Sequence, residues 1–243
     1  MQKPSLSVVQ KGAPVNRILA GLPPDELEIL GPHLETVPLR FREDLYQANS
    51  SVEHVYFIYS GVVSLVTEMR EGADLEFATV GGEGMVGMPV FLGAKQMASK
   101  AFVQVQGEGV RMGAEAFRSV IGHCPELTRR LLRYTLALMN QIAQNSACNR
   151  THEVEERCAR WLLMTQDRVG EPTFPLTQEF LAQMLGVRRP TVSIAAGMLA
   201  KAGLISYLRG QMTILDRAGL KAASCECYGI IAGEFERLVG GTG

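Results

Sequence analysis

Cysteine is missing from the first 123 residues of this 243-residue chain. Cys124, Cys148, Cys158, Cys225 and Cys227 all lie in the second half, and none belongs to a C-x-x-C pair. In a reducing compartment they read as free thiols. Histidine is almost as sparse. His33, His54, His123 and His152 are scattered, so no β-rich segment carries the spaced His/Glu ligands of a metal-dependent enzyme. Neither sign of charge is in excess. The net charge is -1, and any basic surface for nucleic acid has to be local. Long apolar runs are also lacking: LALM at 136–139 is far too short to cross a bilayer. The opening MQKPSLSVVQKGAP has no apolar core of signal-peptide length, so a cytoplasmic protein without a membrane partner is expected.

What is present is ample apolar content, 47%, over a length that suits two domains. Residues 1–15 lack periodicity and read as a flexible arm. Residues 16–34 look helical in two pieces, the second started by Pro23-Pro24-Asp25. From Glu35 the pattern changes to short β-rich runs at 36–41, 54–59, 62–67, 75–80 and 101–106, punctuated by glycine. Such runs predict a compact antiparallel barrel or roll. The alternation in FVQVQ at 102–106 predicts a strand with one wet face.

Helical periodicity resumes at 115–121. After Pro125 no Pro or Gly interrupts residues 126–150. Leu127, Leu131, Tyr134, Leu138 and Ile142 recur at three- and four-residue steps, with Leu132, Leu136 and Met139 widening the stripe. A helix this long exceeds what one small barrel needs to cover. The stripe Leu127, Leu131, Tyr134, Leu138 and Ile142 is therefore expected to pair with its copy in a second subunit, the alternative being that it packs on its own barrel. VEERCARWLLMTQD at 154–167 is a second amphipathic helix, followed by a turn-rich linker.

The stretch LTQEFLAQMLGVRRPTVSIAAGMLAKAGLISYLRGQMT, 176–213, reads as a helix-turn-helix with a wing. Thr177 is a good N-cap, and Ala182, Gly186 and Val192 supply close contact, sharp turn and core plug. Pro190 fixes the start of the second helix. Two short strands around Arg209-Gly210 form the wing. Within this unit Arg188, Arg189, Lys201 and Arg209 stand against one acid, Glu179. Arginines at a helix start can grip phosphate or pair with guanine. The candidate DNA contacts are Thr177, Gln178, Arg188, Arg189, Thr191, Ser193 and Arg209, with Gln178 and Arg209 assigned to phosphate. Residues 216–239 extend past the wing as one or two added helices. Cys225-Glu226-Cys227 there is the one close cysteine pair. A structural zinc site wants four ligands, so the pair is read as two thiols on or beside a helix and no metal is assigned.

The order of these segments resembles the Crp/Fnr family of bacterial transcription regulators over residues 16–215. It is carried by VYFIYSGVVSLV, GGEGMVGMPVF, the long helix after HCPEL, EERCARWLL, LTQEFLAQMLGVRRPTVS and the AGLI wing entry. The resemblance implies an α+β chain: an N-terminal antiparallel β-roll (a cupin-like jelly roll), a long dimerisation helix and a C-terminal winged helix-turn-helix. The expected divisions are a 1–15 arm, a 16–124 cyclic-nucleotide-binding-like sensor domain, a 125–150 dimerisation helix and a 151–243 DNA-binding domain with its extension. It implies a homodimeric, non-enzymatic DNA-binding transcription regulator on a palindromic operator. The partners implied are double-stranded DNA, a second copy of the chain, RNA polymerase and an unidentified small-molecule effector.

The departures from the family are specific. Where cyclic-AMP-binding members carry a ribose-binding Glu and a phosphate-binding Arg-Ser pair, this chain has Met88, then Met97 and Ala98. The positions that would meet the base fall on Ile142 and Ala143. A phosphate without its arginine is left unpaired at a cost of several kcal/mol, so cyclic AMP is not expected as effector in that manner. Gly87, Met88, Met97, Ala98, Lys100 and Ile142 are the candidate effector pocket, with Lys100 as a substitute cation, and no cofactor is identified. The absence of cysteine before Cys124 disfavours an Fnr-like iron–sulfur centre. The second helix keeps one arginine of the family's R-E-x-x-x-R reading pattern, at Arg189, with Pro190 and Ile194 at the other positions. A ligand-binding sensor acting through protein partners remains the alternative reading.

Overall fold

The protein is described by a computed structural model over residues 16–69 and 74–240; the expected arm at 1–15 lies outside the described residues. Two short helices open it, α1 (Arg17–Ala20) and α2 (Pro24–Leu30), followed by a 3-10 turn at Gly31–His33. Eight strands follow, interrupted once by a helix. They are β1 (Glu35–Leu39), β2 (Asp44–Tyr46), β3 (His54–Ile58), β4 (Val62–Glu68), β5 (Asp74–Val80), β6 (Met85–Val86), α3 (Met88–Phe91), β7 (Lys100–Val105) and β8 (Gly107–Gly113). They form two antiparallel sheets, ordered β1-β8-β3-β6 and β2-β7-β4-β5. These face each other over a core of Val55, Phe57, Val63, Leu65, Val103 and Val110. This is the expected antiparallel roll.

Strand β8 has no β-like composition, being GEGVRMG. Two of its glycines are demanded by space. A Cβ at Gly107 would sit 2.1 Å from the Ser60 carbonyl oxygen, and one at Gly109 2.6 Å from that of Phe57. Glycine here permits close approach of β3 rather than a turn. Asn16 pins the chain's entry: its side-chain amide donates to Ile58 O at 3.0 Å and Gly84 O at 2.7 Å, while its oxygen caps α1.

Helices α4 (Ala114–Val120) and α5 (Pro125–Thr151) follow the roll, with a 3-10 turn between them. The 27 residues of α5 span roughly 40 Å. No side chain of its N-cap residue, Cys124, satisfies the first amides. Glu26, a hundred residues earlier in the chain, does so instead, accepting from Glu126 N at 2.7 Å and Leu127 N at 2.9 Å. A carboxylate there also complements the helix dipole.

Three sides of α5 have three environments. Leu127, Leu131, Tyr134, Leu138, Gln141 and Asn145 are buried within the chain. Arg133, Asn140, Gln144 and Cys148 meet the C-terminal extension. Leu132, Leu136 and Met139 stay exposed at 57%, 45% and 60%. This corrects the expected dimer stripe. Leu127, Leu131, Tyr134 and Leu138 are core, and Ile142 is partly buried against that core. The roll needs a lid of large apolar side chains, and the same three- and four-residue spacing serves lid and seam alike, so periodicity alone cannot separate them.

The second half begins with α6 (Val154–Val169), held by a reciprocal Glu153/Glu156 capping box. Then come β9 (Thr173–Pro175), α7 (Gln178–Leu185), α8 (Arg189–Lys201), the hairpin β10 (Ile205–Leu208) and β11 (Gln211–Ile214), α9 (Arg217–Ala223) and α10 (Cys227–Phe235). A π turn, Glu236–Gly240, ends the described chain. The small sheet is ordered β10-β11-β9. Trp161 and Thr165 of α6 lie on the outer face of the second roll sheet, so Gln104 of β7 is buried there rather than wet. The strand alternation read correctly as two faces, but α6 covers the polar one. Among the described residues no helix is long and apolar enough to cross a membrane.

Truncating Leu131→Ala should lower unfolding free energy in denaturant by about 2–5 kcal/mol. Leu132→Ala, on the exposed side, should lower it by less than about 1 kcal/mol at concentrations too low for self-association. Equal losses would contradict the assignment of faces.

Candidate nucleic-acid interface

Thr177 caps α7 as its sequence predicts, its hydroxyl accepting from Phe180 N at 3.1 Å. Gly186 ends α7 in the left-handed region, φ 64°, and a Cβ there would also meet Leu75 at 2.7 Å. The chain turns, and Arg188 starts α8 with Pro190 in its first turn. Val192, Ala195, Ala196 and Leu199 face inward. The outer side of α8 carries Arg188, Arg189, Thr191, Ile194 and Met198, all exposed, the last two at 66% and 51%. Ser193 is tied down: its hydroxyl lies 2.8 Å from Gln178 Oε1 and 3.1 Å from Arg189 O. Gln178 therefore joins α7 to α8 and is half-buried. The wing turns at Arg209 and Gly210, whose φ values of 51° and 77° are those of a type I′ hairpin. Arg209 is exposed at the wing tip. The structure thus brings Thr177, Gln178, Arg188, Arg189, Thr191 and Ser193 to one side of the helix pair, with Arg209 on the adjoining wing. Met198 escaped the sequence reading; its spacing of four from Ile194 was the available signal.

The candidate effector residues lie on different elements of the roll and on α5. Gly87 and Met88 lie buried where β6 leaves the first sheet, while Lys100 begins β7 of the second and is 3.0 Å from the Glu68 carboxylate. Met97 and Ala98 are exposed on the loop before β7, where Met97 O accepts from Asn49 N. A cavity of about 470 Å³ lies instead between Leu75 of β5 and Ala182, Gly186, Arg188 and Thr191 of the helix-turn-helix. Another, about 280 Å³, lies among Arg17, Glu83, Arg168, Tyr228 and Phe235. None of the six lines either cavity.

Where α6 meets the roll, the groups are polar. Trp161 Nε1 donates to Glu76 at 2.7 Å, and Ser64 Oγ lies 2.8 Å from both Glu76 Oε2 and Gln104 Oε1. Ser64 has one hydrogen to give. A protonated Glu76 resolves this by donating to Ser64, which then donates to Gln104. Burial indeed pushes the Glu76 carboxyl up to about 7, against the lowering pull of Ser64, Trp161, Arg160 and Arg168. Arg168 of α6 also binds Glu83 at 2.9 Å, and Arg160 binds Asn145 of α5.

A second constellation was not anticipated. Cys148 and His152 at the end of α5 meet Cys225 and Cys227 of the extension, with all four ligand atoms within 4.8 Å of one another. Cys225 and Cys227 are therefore not an isolated pair of thiols. The missed signal was the four-residue spacing of Cys148 and His152, which puts both on one side of a helix.

The family model of the cyclic nucleotide-binding domain matches residues 37–124, and that of the Crp-like helix-turn-helix domain matches residues 156–223. Together they take in more than half of the chain. A "CRP-like cAMP-activated global transcriptional regulator" of Mycobacterium tuberculosis is 26% identical over 206 residues, covering 82% of this chain and 92% of that protein. FixK2 from Bradyrhizobium japonicum superposes with a TM-score of 0.68 at 17% identity, covering 79% of this chain and 98% of the other. TTHB099 from Thermus thermophilus, a transcriptional regulator of the CRP family, does so with 0.66 at 21%, covering 77% and 96%. At these identities the structural likenesses establish the fold.

Replacing Glu76→Gln keeps the acceptor for Trp161 and a donor for Ser64. A raised carboxyl favours the folded state most when protonated, so in the parent protein Glu76 adds stability as pH falls from about 7 towards 4.5 and opposes folding above that window. Glu76→Gln should therefore raise the melting temperature at pH 8 and flatten its rise between pH 7 and 5. A lower melting temperature at pH 8 would contradict the protonated assignment.

Proposed function

Because the chain belongs to the Crp/Fnr family of DNA-binding transcription regulators, we propose that it acts as a homodimer that sets two copies of α8 into the major groove of a two-fold symmetric operator. The observation that carries this reading is the exposed outer side of α8, with its paired arginines at the helix start and a basic wing tip beside it. Arg188 and Arg189 supply the charge that displaces counterions from phosphate, or the fork that pairs with guanine. Ile194 and Met198 give this reader an apolar middle suited to thymine methyl groups. Arg209 reaches phosphate from the wing, and Thr177 and Gln178 approach the backbone from the start of α7. Half-sites one helical turn apart follow from a two-fold dimer.

Pairing is assigned to Leu132, Leu136 and Met139. They recur at steps of four and three on the side of α5 covered by neither the roll nor the extension. Their spacing is that of a coiled-coil seam. RNA polymerase is a further partner in this reading.

The sensor is read as one that does not hold cyclic AMP through an arginine–phosphate pair. Met88, Met97 and Ala98 offer no cation, and Lys100 lies beside Glu68. The mycobacterial relative is described as cAMP-activated; this chain, with its apolar substitutions, is assigned a different effector.

Binding to palindromic promoter DNA, followed by fluorescence anisotropy, should weaken steeply with salt. Arg188→Ala with Arg189→Ala should weaken it at least tenfold, and each lost phosphate contact should lower the slope of log K against log salt by about 0.9. Unchanged affinity would overturn the assignment of the interface. Separately, Leu132→Glu with Leu136→Glu should yield folded monomers with weak DNA binding. A wild-type monomer at micromolar concentration would refute the pairing.

A further inference from the structure

We propose that Cys148, His152, Cys225 and Cys227 form a tetrahedral site for one zinc ion, which clamps the C-terminal extension to the end of α5. The four come from two places far apart in the chain. Cys148 sits in the last turn of α5 with His152 at its C-cap, while Cys225 precedes α10 and Cys227 is its first residue. Cys148 Sγ lies 3.5 Å from Cys225 Sγ, and Cys227 Sγ lies 3.6 Å from His152 Nδ1. Around one zinc with bonds of 2.3 Å to sulfur and 2.0–2.1 Å to nitrogen, tetrahedral angles require about 3.8 Å between sulfurs and about 3.6 Å from sulfur to nitrogen. The observed spacings match one ion. An iron–sulfur cluster would spread the thiolates over separate irons, farther apart than the 4.8 Å that encloses all four ligand atoms.

The surroundings fit the same assignment. Glu226 lies 3.2 Å from His152 Nε2, which fixes that nitrogen as the protonated one and turns Nδ1 towards the sulfurs. A carboxylate behind a ligating histidine is the usual outer partner of such a site. Gln144 Nε2 donates to Cys227 Sγ at 3.1 Å. The three sulfurs form a buried cluster of their own, separate from the main apolar core. Arg157 and Arg160 act on Cys148 with positive charge, offsetting the excess negative charge of three thiolates around a divalent ion. Thiols alone are weak hydrogen-bonding groups, whereas a shared metal ion would bind all four side chains at once.

The consequence is mechanical. The segment between Cys148 and Cys225 includes α6, α7, α8 and the wing. A metal joining its ends fixes the DNA-reading unit to the helix that carries the outer apolar face.

The test is metal content of the full-length, untagged chain, purified under a thiol reductant without chelator. One zinc per chain is expected. Cys148→Ser and Cys227→Ser should each lose most of it, His152→Cys should retain it, and Cys158→Ser, a thiol buried in α6 and outside the cluster, should leave it unchanged. In wild-type protein stripped by chelator, added zinc should protect Cys148, Cys225 and Cys227 from alkylation. This second measurement does not depend on the variants folding. Three outcomes would overturn the proposal: wild-type protein that carries no zinc and gains no protection from it, iron in place of zinc, or Cys148→Ser and Cys227→Ser proteins that bind zinc as fully as wild type. Metal content is independent of DNA affinity, so failure here and failure of the DNA-binding reading are separable.

Discussion

The burial of α5 is the constraint on which the rest of the structure depends. A helix of this length cannot stay in water with an apolar stripe, and its N-cap residue offers no side-chain acceptor. Glu26 supplies its first-turn acceptors from the far end of the roll's sequence, and the roll supplies the apolar surface. Once those side chains are committed inward, the helix has two sides left. The extension takes one, through Arg133, Asn140, Gln144 and Cys148. The side left over is apolar, exposed and regularly spaced. Its presence on a helix already packed twice is the physical reason to look for a second copy.

The DNA-reading unit is held to this frame from two directions. On one side α6 lays Trp161, Thr165 and Arg168 on the second sheet of the roll, around a Glu76 carboxyl that favours its protonated form. On the other, the extension returns to the end of α5. A change in the roll has a direct route to α6, because Glu76 and Gln104 belong to roll strands while their partners belong to the helix that precedes the reader. That route passes through polar groups, whose hydrogen bonding can change without opening the core.

Much of this was legible in the sequence for clear reasons. The helix-turn-helix has local determinants, Thr177, Gly186, Pro190 and Val192, and each acts within a few residues of where it stands. The long helix announced itself by the absence of glycine and proline. What could not be read depended on distant partners. Strand β8 is hidden by glycines, two of which admit the close approach of β3 and the turn after it. Gln104 looks solvent-facing until α6 is laid over it. The stripe Leu127 to Leu138 has the spacing of a dimer seam and the location of a core. Met97 and Ala98, aligned by family resemblance to a phosphate site, stand exposed on a loop. The four-ligand cluster needs α5 and α10 to be brought side by side before it exists at all.

The measurement that bears most directly on the central claim is hydroxyl-radical footprinting on a genomic fragment recovered by the purified protein, with the bound mass determined in parallel. The account predicts two symmetric protected segments about one helical turn apart, with two chains on each site. One chain per site over a single asymmetric footprint would contradict it.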